Sequence, residues 1–168
     1  VPDERLAVIA KIVNTTSIIP ATVKFLDIAG LVAGASKGEG LGNKFLAHIR
    51  EVDLICHVLR SFTDPSVVHV EGEVDWKRDK EIVETELILA DLQTLEKQTA
   101  PRLNATKEDR KRWDLINKLI PELSKGKTAA SVLTEKDDRD SVSQLGLLTM
   151  KPVLFVFNVS EDQLSPER

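Results

Sequence analysis

Tyrosine is absent from this chain of 168 residues, and aromatic side chains make up only 4% of it. Any core must therefore be packed from aliphatic side chains. A single cysteine, Cys56, excludes an intrachain disulfide framework and suits a reducing compartment, so a cytoplasmic location is expected. No apolar run approaches the ~20 residues needed to span a bilayer, and no secretory leader pattern opens the chain. Positive charge is not in excess. The net charge of −4 argues against a chain built as a basic nucleic-acid clamp or a sequence-specific DNA reader, while leaving room for a local basic face. Internal repeats and low-complexity tracts are also lacking. What is present is ordinary for a globular protein: 42% apolar and 30% charged residues, in a length that suits one domain with an insertion. The chain starts Val1-Pro2-Asp3 and stops at Ser165-Pro166-Glu167-Arg168, and both ends read as cut from something longer.

The order of elements follows α/β logic. Asp3 is placed to cap a short helix with Leu6, Ile9, Ala10 and Val13 on one face, ended by Asn14-Thr15-Thr16-Ser17. Thr22 to Leu26 reads as a strand. A helix starting at Asn43 or Lys44 runs through Glu51 with Phe45, Leu46 and Ile49 inward. Asp53 to Phe62 then reads as a central strand covered on both faces. The middle changes character. Thr85, Ile88, Leu92, Leu95 and Thr99 form a heptad seam between Asp79 and Thr99. Trp113, Ile116, Ile120 and Leu123 form another between Lys107 and Ser124. Two such helices joined by a short link imply an antiparallel hairpin whose charged outer faces are solvated, or serve as a partner-binding arm. Ser124-Lys125-Gly126-Lys127 breaks the pattern. Thr134 with Asp137 resembles a capping box opening a helix to about Leu147. Val153 to Asn158 has the composition of a buried parallel strand, so the sheet resumes.

Chemistry concentrates at two places. Residues 27–45, D-I-A-G-L-V-A-G-A-S-K-G-E-G-L-G-N-K-F, hold five of the eight glycines (Gly30, Gly34, Gly38, Gly40 and Gly42). Asp27 ends a strand, and Gly30 completes a D-x-x-G arrangement. In nucleotide hydrolases such an Asp holds Mg²⁺ through water, and the Gly N–H reaches the γ-phosphate, an approach any side chain would obstruct. The later glycines sit too far from the strand for a dinucleotide fingerprint and suit a loop that orders on phosphate. At the other place, Asn158-Val159-Ser160-Glu161 follows the resumed strand. Guanine-specific hydrolases carry N-K-x-D there, with the Asp accepting protons from guanine N1 and its exocyclic amine. Val159 for Lys and Glu161 for Asp should relax that selection.

These residues resemble the YchF/Obg-like ATPase family of P-loop NTPases. Further stretches carry the same resemblance: V-P-D-E-R-L at the start, H-V-E-G-E-V-D at 69–75, E-T-E-L-I-L-A-D-L at 84–92, L-T-M-K-P at 148–152 and N-V-S-E at 158–161. The resemblance implies a three-layer, Ras-like G domain with an inserted antiparallel α-helical hairpin, here incomplete. It divides the chain into part of the nucleotide domain with the second switch (1–75), the coiled-coil-like hairpin (76–125) and the resumed nucleotide domain ending at the base-reading motif (126–168). It implies ATP, or less well GTP, with Mg²⁺ as cofactor, and the ribosome as partner. It assigns Asp27 to the metal, Gly30 to the γ-phosphate, and Asn158, Val159, Ser160 and Glu161 to the base. Leu31 falls where Ras-like enzymes have the water-orienting Gln, so intrinsic hydrolysis should be slow. His69 matches a family histidine that would supply the missing polar group. His57, mid-strand beside Cys56, reads as packed.

The departure from the family is equally plain. No G-x-x-x-x-G-K-[ST] occurs, so the phosphate cradle, its Lys and its Mg²⁺-binding hydroxyl are missing, as are the start of the first switch and the TGS domain. The expected activity is thus that of a parent Mg²⁺-dependent ATPase, with this chain alone inactive. The alternative is a non-enzymatic hairpin module with a vestigial nucleotide site.

Overall fold

The computed structural model describes residues 1–28, 41–63 and 74–164. In chain order the elements are α1 (Arg5–Ile12), α2 (Leu41–Glu51), β1 (Ile55–Arg60), α3 (Trp76–Glu96), α4 (Lys107–Leu123), α5 (Ala129–Val132), α6 (Lys136–Val142) and β2 (Val153–Asn158). Short 3₁₀ turns follow α6, precede β2 and follow β2.

β1 and β2 are parallel neighbours, in register from Ile55 opposite Val153 to Arg60 opposite Asn158. The whole helical middle of the chain lies between these paired strands, as a parallel crossover requires. α3 lies against one face of the pair. Trp76 meets Phe157 edge-on, with ring centroids 5.1 Å apart, and the Lys80 ammonium sits 5.5 Å from the centre of the Phe155 ring. Leu59 on this face is fully buried. The opposite face, with Cys56, Val58, Leu154 and Val156, is open among the described residues, and Val58 is 60% exposed.

That corrects two sequence expectations. β2 was expected to be buried, yet every residue in it is exposed. β1 was expected to be covered on both faces and is covered on one. A strand this apolar needs a layer on each face, and the described residues supply only one. A third correction concerns Thr22 to Leu26, expected as a strand. It has no strand assignment, and Val23 and Phe25 are largely exposed. Alternating pattern alone does not make a strand. The backbone groups also need a ladder partner, and none of the described residues supplies one.

The core is two clusters that share α3. Ile88 and Leu95 of α3 pack with Leu115, Ile116, Leu119 and Leu123 of α4, and with Ala129, Leu133, Val142 and Leu147 beyond it. Leu87 and Ala90 pack instead with Leu46 and Ile49 of α2 and with Leu148. Adjacent helix residues point about 100° apart, so Leu87 and Ile88 address different clusters. The heptad seam read from the sequence captured only the α4 side of α3. Its last member, Thr99, lies past the helix end at Glu96.

Capping differs in part from expectation. At α1 the position before Arg5 is Glu4, which makes no side-chain cap bond; the Asp3 carboxylate accepts the Arg5 N–H, capping the first turn as expected, and pairs with the Arg5 guanidinium. Only Ala10 of the expected α1 face is buried. Thr134 and Asp137 do not form a capping box: Glu135 is the N-cap of α6, and Asp137 pairs with Lys111 of α4. The capping box lies at Thr106 and Asp109, opening α4. Its T-x-x-D spacing was present in the sequence and was overlooked. α6 itself ends at Val142, and Gly146 follows with φ +60°.

Candidate functional site

Gly30, Leu31 and His69 lie outside the described residues, as do Gly34, Gly38 and Gly40. Asp27 is described and exposed. The next residue, Ile28, is half-buried and packs against the cluster formed by α2, α3 and Leu148. That anchor fixes where the chain enters the glycine-rich stretch and leaves the Asp27 carboxylate in solvent. An exposed single carboxylate fits a magnesium ion reached through water. Mg²⁺ dehydrates reluctantly and usually takes one or two carboxylates, several waters and substrate phosphates. The described residues contain no group of three or more His, Cys, Asp or Glu that would form an all-protein cage.

The N-V-S-E turn, residues 158–161, is built at the C-terminal edge of the parallel pair, the edge where open α/β sheets place ligands. Asn158 ends β2, and its carbonyl accepts the Ser61 N–H at 2.8 Å. The Ser160 N–H donates to Gln163 Oε1 at 2.9 Å, and the Gln163 amide donates in turn to the Ser61 carbonyl at 3.0 Å. Gln163 also closes the turn by donating its own N–H to the Ser160 carbonyl at 3.1 Å. The turn is thus tied to the end of β1. Val159 and Ser160 are half-buried, whereas Asn158 and Glu161 are exposed. The amide of Asn158 and the carboxylate of Glu161 are thus the solvent-facing groups of the turn, while the Ser160 backbone is held inside it. The sequence reading missed Gln163 and Ser61. Only the short spacing from Asn158 to Gln163 hinted that a side chain would close this turn.

The stretches 84–92 and 148–152, noted for resemblance without a role, meet in the interior. Asp91 of α3 is fully buried. One carboxylate oxygen accepts the Leu148 N–H at 2.6 Å. The other accepts the Thr149 N–H at 2.8 Å and the Thr149 hydroxyl at 2.6 Å. The Thr149 hydroxyl oxygen in turn accepts the Ala129 N–H at 2.9 Å, holding the start of α5. Three donors and no acceptor around the carboxylate suit its ionised form. Burial holds its pKa above the ordinary carboxylate value, and the bonds from Thr149 and Leu148, with the Arg50 charge, offset only part of that rise. Two residues on, the Lys151 ammonium donates to the Arg50 carbonyl at 3.1 Å and to the Val52 carbonyl at 2.5 Å. Lys151 therefore ties the entrance of β2 to the end of α2, the helix that follows the glycine-rich stretch. These residues tie α2, α3 and α5 to the entrance of β2.

His57 is half-buried beside Phe155, with ring centroids 5.9 Å apart, and burial together with Lys80 lowers its pKa. It is packed, as expected. A cleft of about 350 Å³ lies between α3 and the end of α4, and one of about 400 Å³ lies at the α3–α4 link. Neither is lined by Asp27 or by residues 158–161. Among the described residues no helix is long and apolar enough to cross a membrane.

Comparison with known proteins agrees with this architecture. Residues 7–98 match the family model described as 50S ribosome-binding GTPase. The chain is 46% identical over 169 residues to the ribosome-binding ATPase YchF of Bacillus subtilis, covering 98% of this chain and 46% of that protein. It is 45% identical over 165 residues to the protein of the same name from Haemophilus ducreyi, covering 96% of this chain and 46% of that one. The solved structure of the Schizosaccharomyces pombe YchF GTPase superposes with a TM-score of 0.72 at 36% identity, over 97% of this chain and 46% of that one. The fold is therefore the α/β fold of P-loop GTPases, and the chain spans about half the length of the curated relatives it matches.

Proposed function

We propose that this chain, which belongs to the YchF family, is the central part of a purine nucleotide-binding NTPase that hydrolyses ATP, and GTP less well, as a cytoplasmic, ribosome-associated switch. The observation that carries the reading is the near end-to-end match to ribosome-binding ATPases. Both chemical stretches, D-x-x-G at Asp27–Gly30 and N-V-S-E at Asn158–Glu161, fall within it. In this reading Asp27 holds Mg²⁺ through water, and Gly30 offers its N–H to the γ-phosphate. The metal, when bound, neutralises charge that develops on the phosphate oxygens. Leu31 offers no group to orient water, and His69 takes that task. Asn158 and Glu161 meet the base, held by the backbone of Val159 and Ser160. Glu161 places its carboxylate differently from an Asp, which removes the strict demand for the guanine N1–H. Residues 1–75 and 126–168 form the nucleotide domain. Residues 76–125, with α3 and α4, form an inserted antiparallel hairpin that transmits the nucleotide state to the partner.

The test is sedimentation of the full-length protein with ribosomes, with and without a non-hydrolysable ATP analogue. Wild type should bind in a nucleotide-dependent way, and Asp27→Ala should abolish that dependence. Ribosome binding that is indifferent to nucleotide in both proteins would leave the helical pair as a plain docking module, the reading that Leu31 favours.

A further inference from the structure

The link between α3 and α4 is a charged patch of opposite sign to the chain. Residues 97–112 contain six cations, Lys97, Arg102, Lys107, Arg110, Lys111 and Arg112, against two acids, Glu108 and Asp109, in a protein of net charge −4. Two of the cations are committed: Lys111 pairs with Asp137 and Asp138, and Arg112 with Asp109. The other four, Lys97, Arg102, Lys107 and Arg110, are exposed, and none of them makes an ion pair among the described residues. All four belong to one end of the helical pair: Lys97 is the C-cap of α3, Arg102 lies in the link, and Lys107 and Arg110 are in the first turn of α4.

This end is preorganised. The Ala105 N–H donates to the Arg102 carbonyl at 2.9 Å, and the Arg110 guanidinium donates to the Leu103 carbonyl at 2.9 Å. The Thr106–Asp109 capping box fixes the first turn of α4. At the apex Leu103 is 100% exposed. Four exposed cations without an acidic partner among the described residues, and a single exposed apolar side chain, do not suit a protein partner, whose docking sites are built on clustered apolar anchors with charge pushed to the rim. They suit a phosphate backbone.

From this arrangement we infer that the α3–α4 tip is an RNA-docking surface, with Lys97, Arg102, Lys107 and Arg110 set against the phosphates of a helical RNA segment. The inference rests on the ribosome-associated reading above and names the component touched. Leu103 lies against the sugar–base surface of the shallow minor groove, where an apolar side chain has room. Recognition is of shape and charge, not of sequence.

The experiment uses full-length protein. Binding to a generic A-form RNA duplex is followed by fluorescence anisotropy from 50 to 200 mM salt, alongside sedimentation with ribosomes. With ~0.9 counterion released per phosphate contact, four contacts give a log–log slope of roughly −3.6, or a loss of about 150-fold across that range. The variant K97Q/R102Q/K107Q/R110Q should flatten the slope by about that amount and fail to sediment with ribosomes. Each single Gln variant should flatten it by roughly one. These side chains are exposed, and an unchanged thermal transition verifies folding. An unchanged slope in the quadruple variant overturns the inference. Loss of ribosome binding with Leu103→Ser alone, the charge variant still binding, also overturns it by pointing to a protein partner. If wild type binds the duplex in the charge-dependent way but no ribosome, the tip assignment stands and the ribosome reading fails.

Discussion

Replacing Asp91 with Ala would strip one acceptor group from three buried donors, the Leu148 N–H, the Thr149 N–H and the Thr149 hydroxyl. Hydrogen bonds to a charged group contribute about 1.5–3 kcal/mol each, so the gross loss is roughly 5–9 kcal/mol. Removing a buried carboxylate also relieves a desolvation penalty of several kcal/mol. The balance is a destabilisation of about 3 kcal/mol. For a domain of this size that lowers Tm by roughly 6–12 °C. The local consequence is sharper. Hydrogen exchange read by mass spectrometry over 147–150 should speed up roughly a hundredfold, while exchange in the middle of α4 should change less. Thr149→Val should cost less than Asp91→Ala, and the double variant should cost less than the sum, because both changes act on one network. A loss below about 1 kcal/mol with unaltered exchange at 148–149 would refute the claim that this carboxylate holds α3 to the entrance of β2.

Other outcomes follow from named contacts. Lys151→Met removes the donor to the Arg50 and Val52 carbonyls and should cost about 1.5–3 kcal/mol in denaturant unfolding, with faster exchange at the end of α2. Glu122, held by Lys125 and Lys127, has its pKa lowered to about 2. Because the folded value lies below the unfolded one, its contribution is complete above about pH 4.5 and is lost as pH falls through about 2, so Glu122→Gln should flatten acid unfolding in that window. Val159→Lys with Glu161→Asp restores the N-K-x-D pattern and should raise GTP affinity relative to ATP in full-length protein by competition binding. An unchanged ratio would remove these residues from base reading.

The sequence was most legible where one face of an element meets one core. α4 shows this in its bounds and in Ile116 and Leu123, although the seam of Trp113, Ile116, Ile120 and Leu123 left out the buried Leu115 and Leu119, which widen the inward face beyond a heptad stripe. That Val153–Asn158 returns to a parallel sheet was legible as well, from an apolar run following helices; that its neighbour is β1 was not. α3 was half legible: Leu87 and Ile88 serve different clusters, and two overlapping seams blur any single period. Asp91 was illegible, since an Asp on a charged helix reads as solvated until Leu148 and Thr149 are brought to it across 57 and 58 residues. At the candidate site, Asp27, Asn158 and Glu161 were singled out by their motifs, and all three lie exposed. The part played by Gln163 and Ser61 was not legible, because it depends on β2 ending beside β1.

The central claim is that Asp27 neighbours the metal of a bound triphosphate. A crystal structure of the full-length protein with Mg²⁺ and a non-hydrolysable ATP analogue tests it directly. A metal about 4 Å from the Asp27 carboxylate, with one water between them, is the result expected. A metal and phosphate chain more than roughly 8 Å away, beyond the reach of a single bridging water, would contradict it.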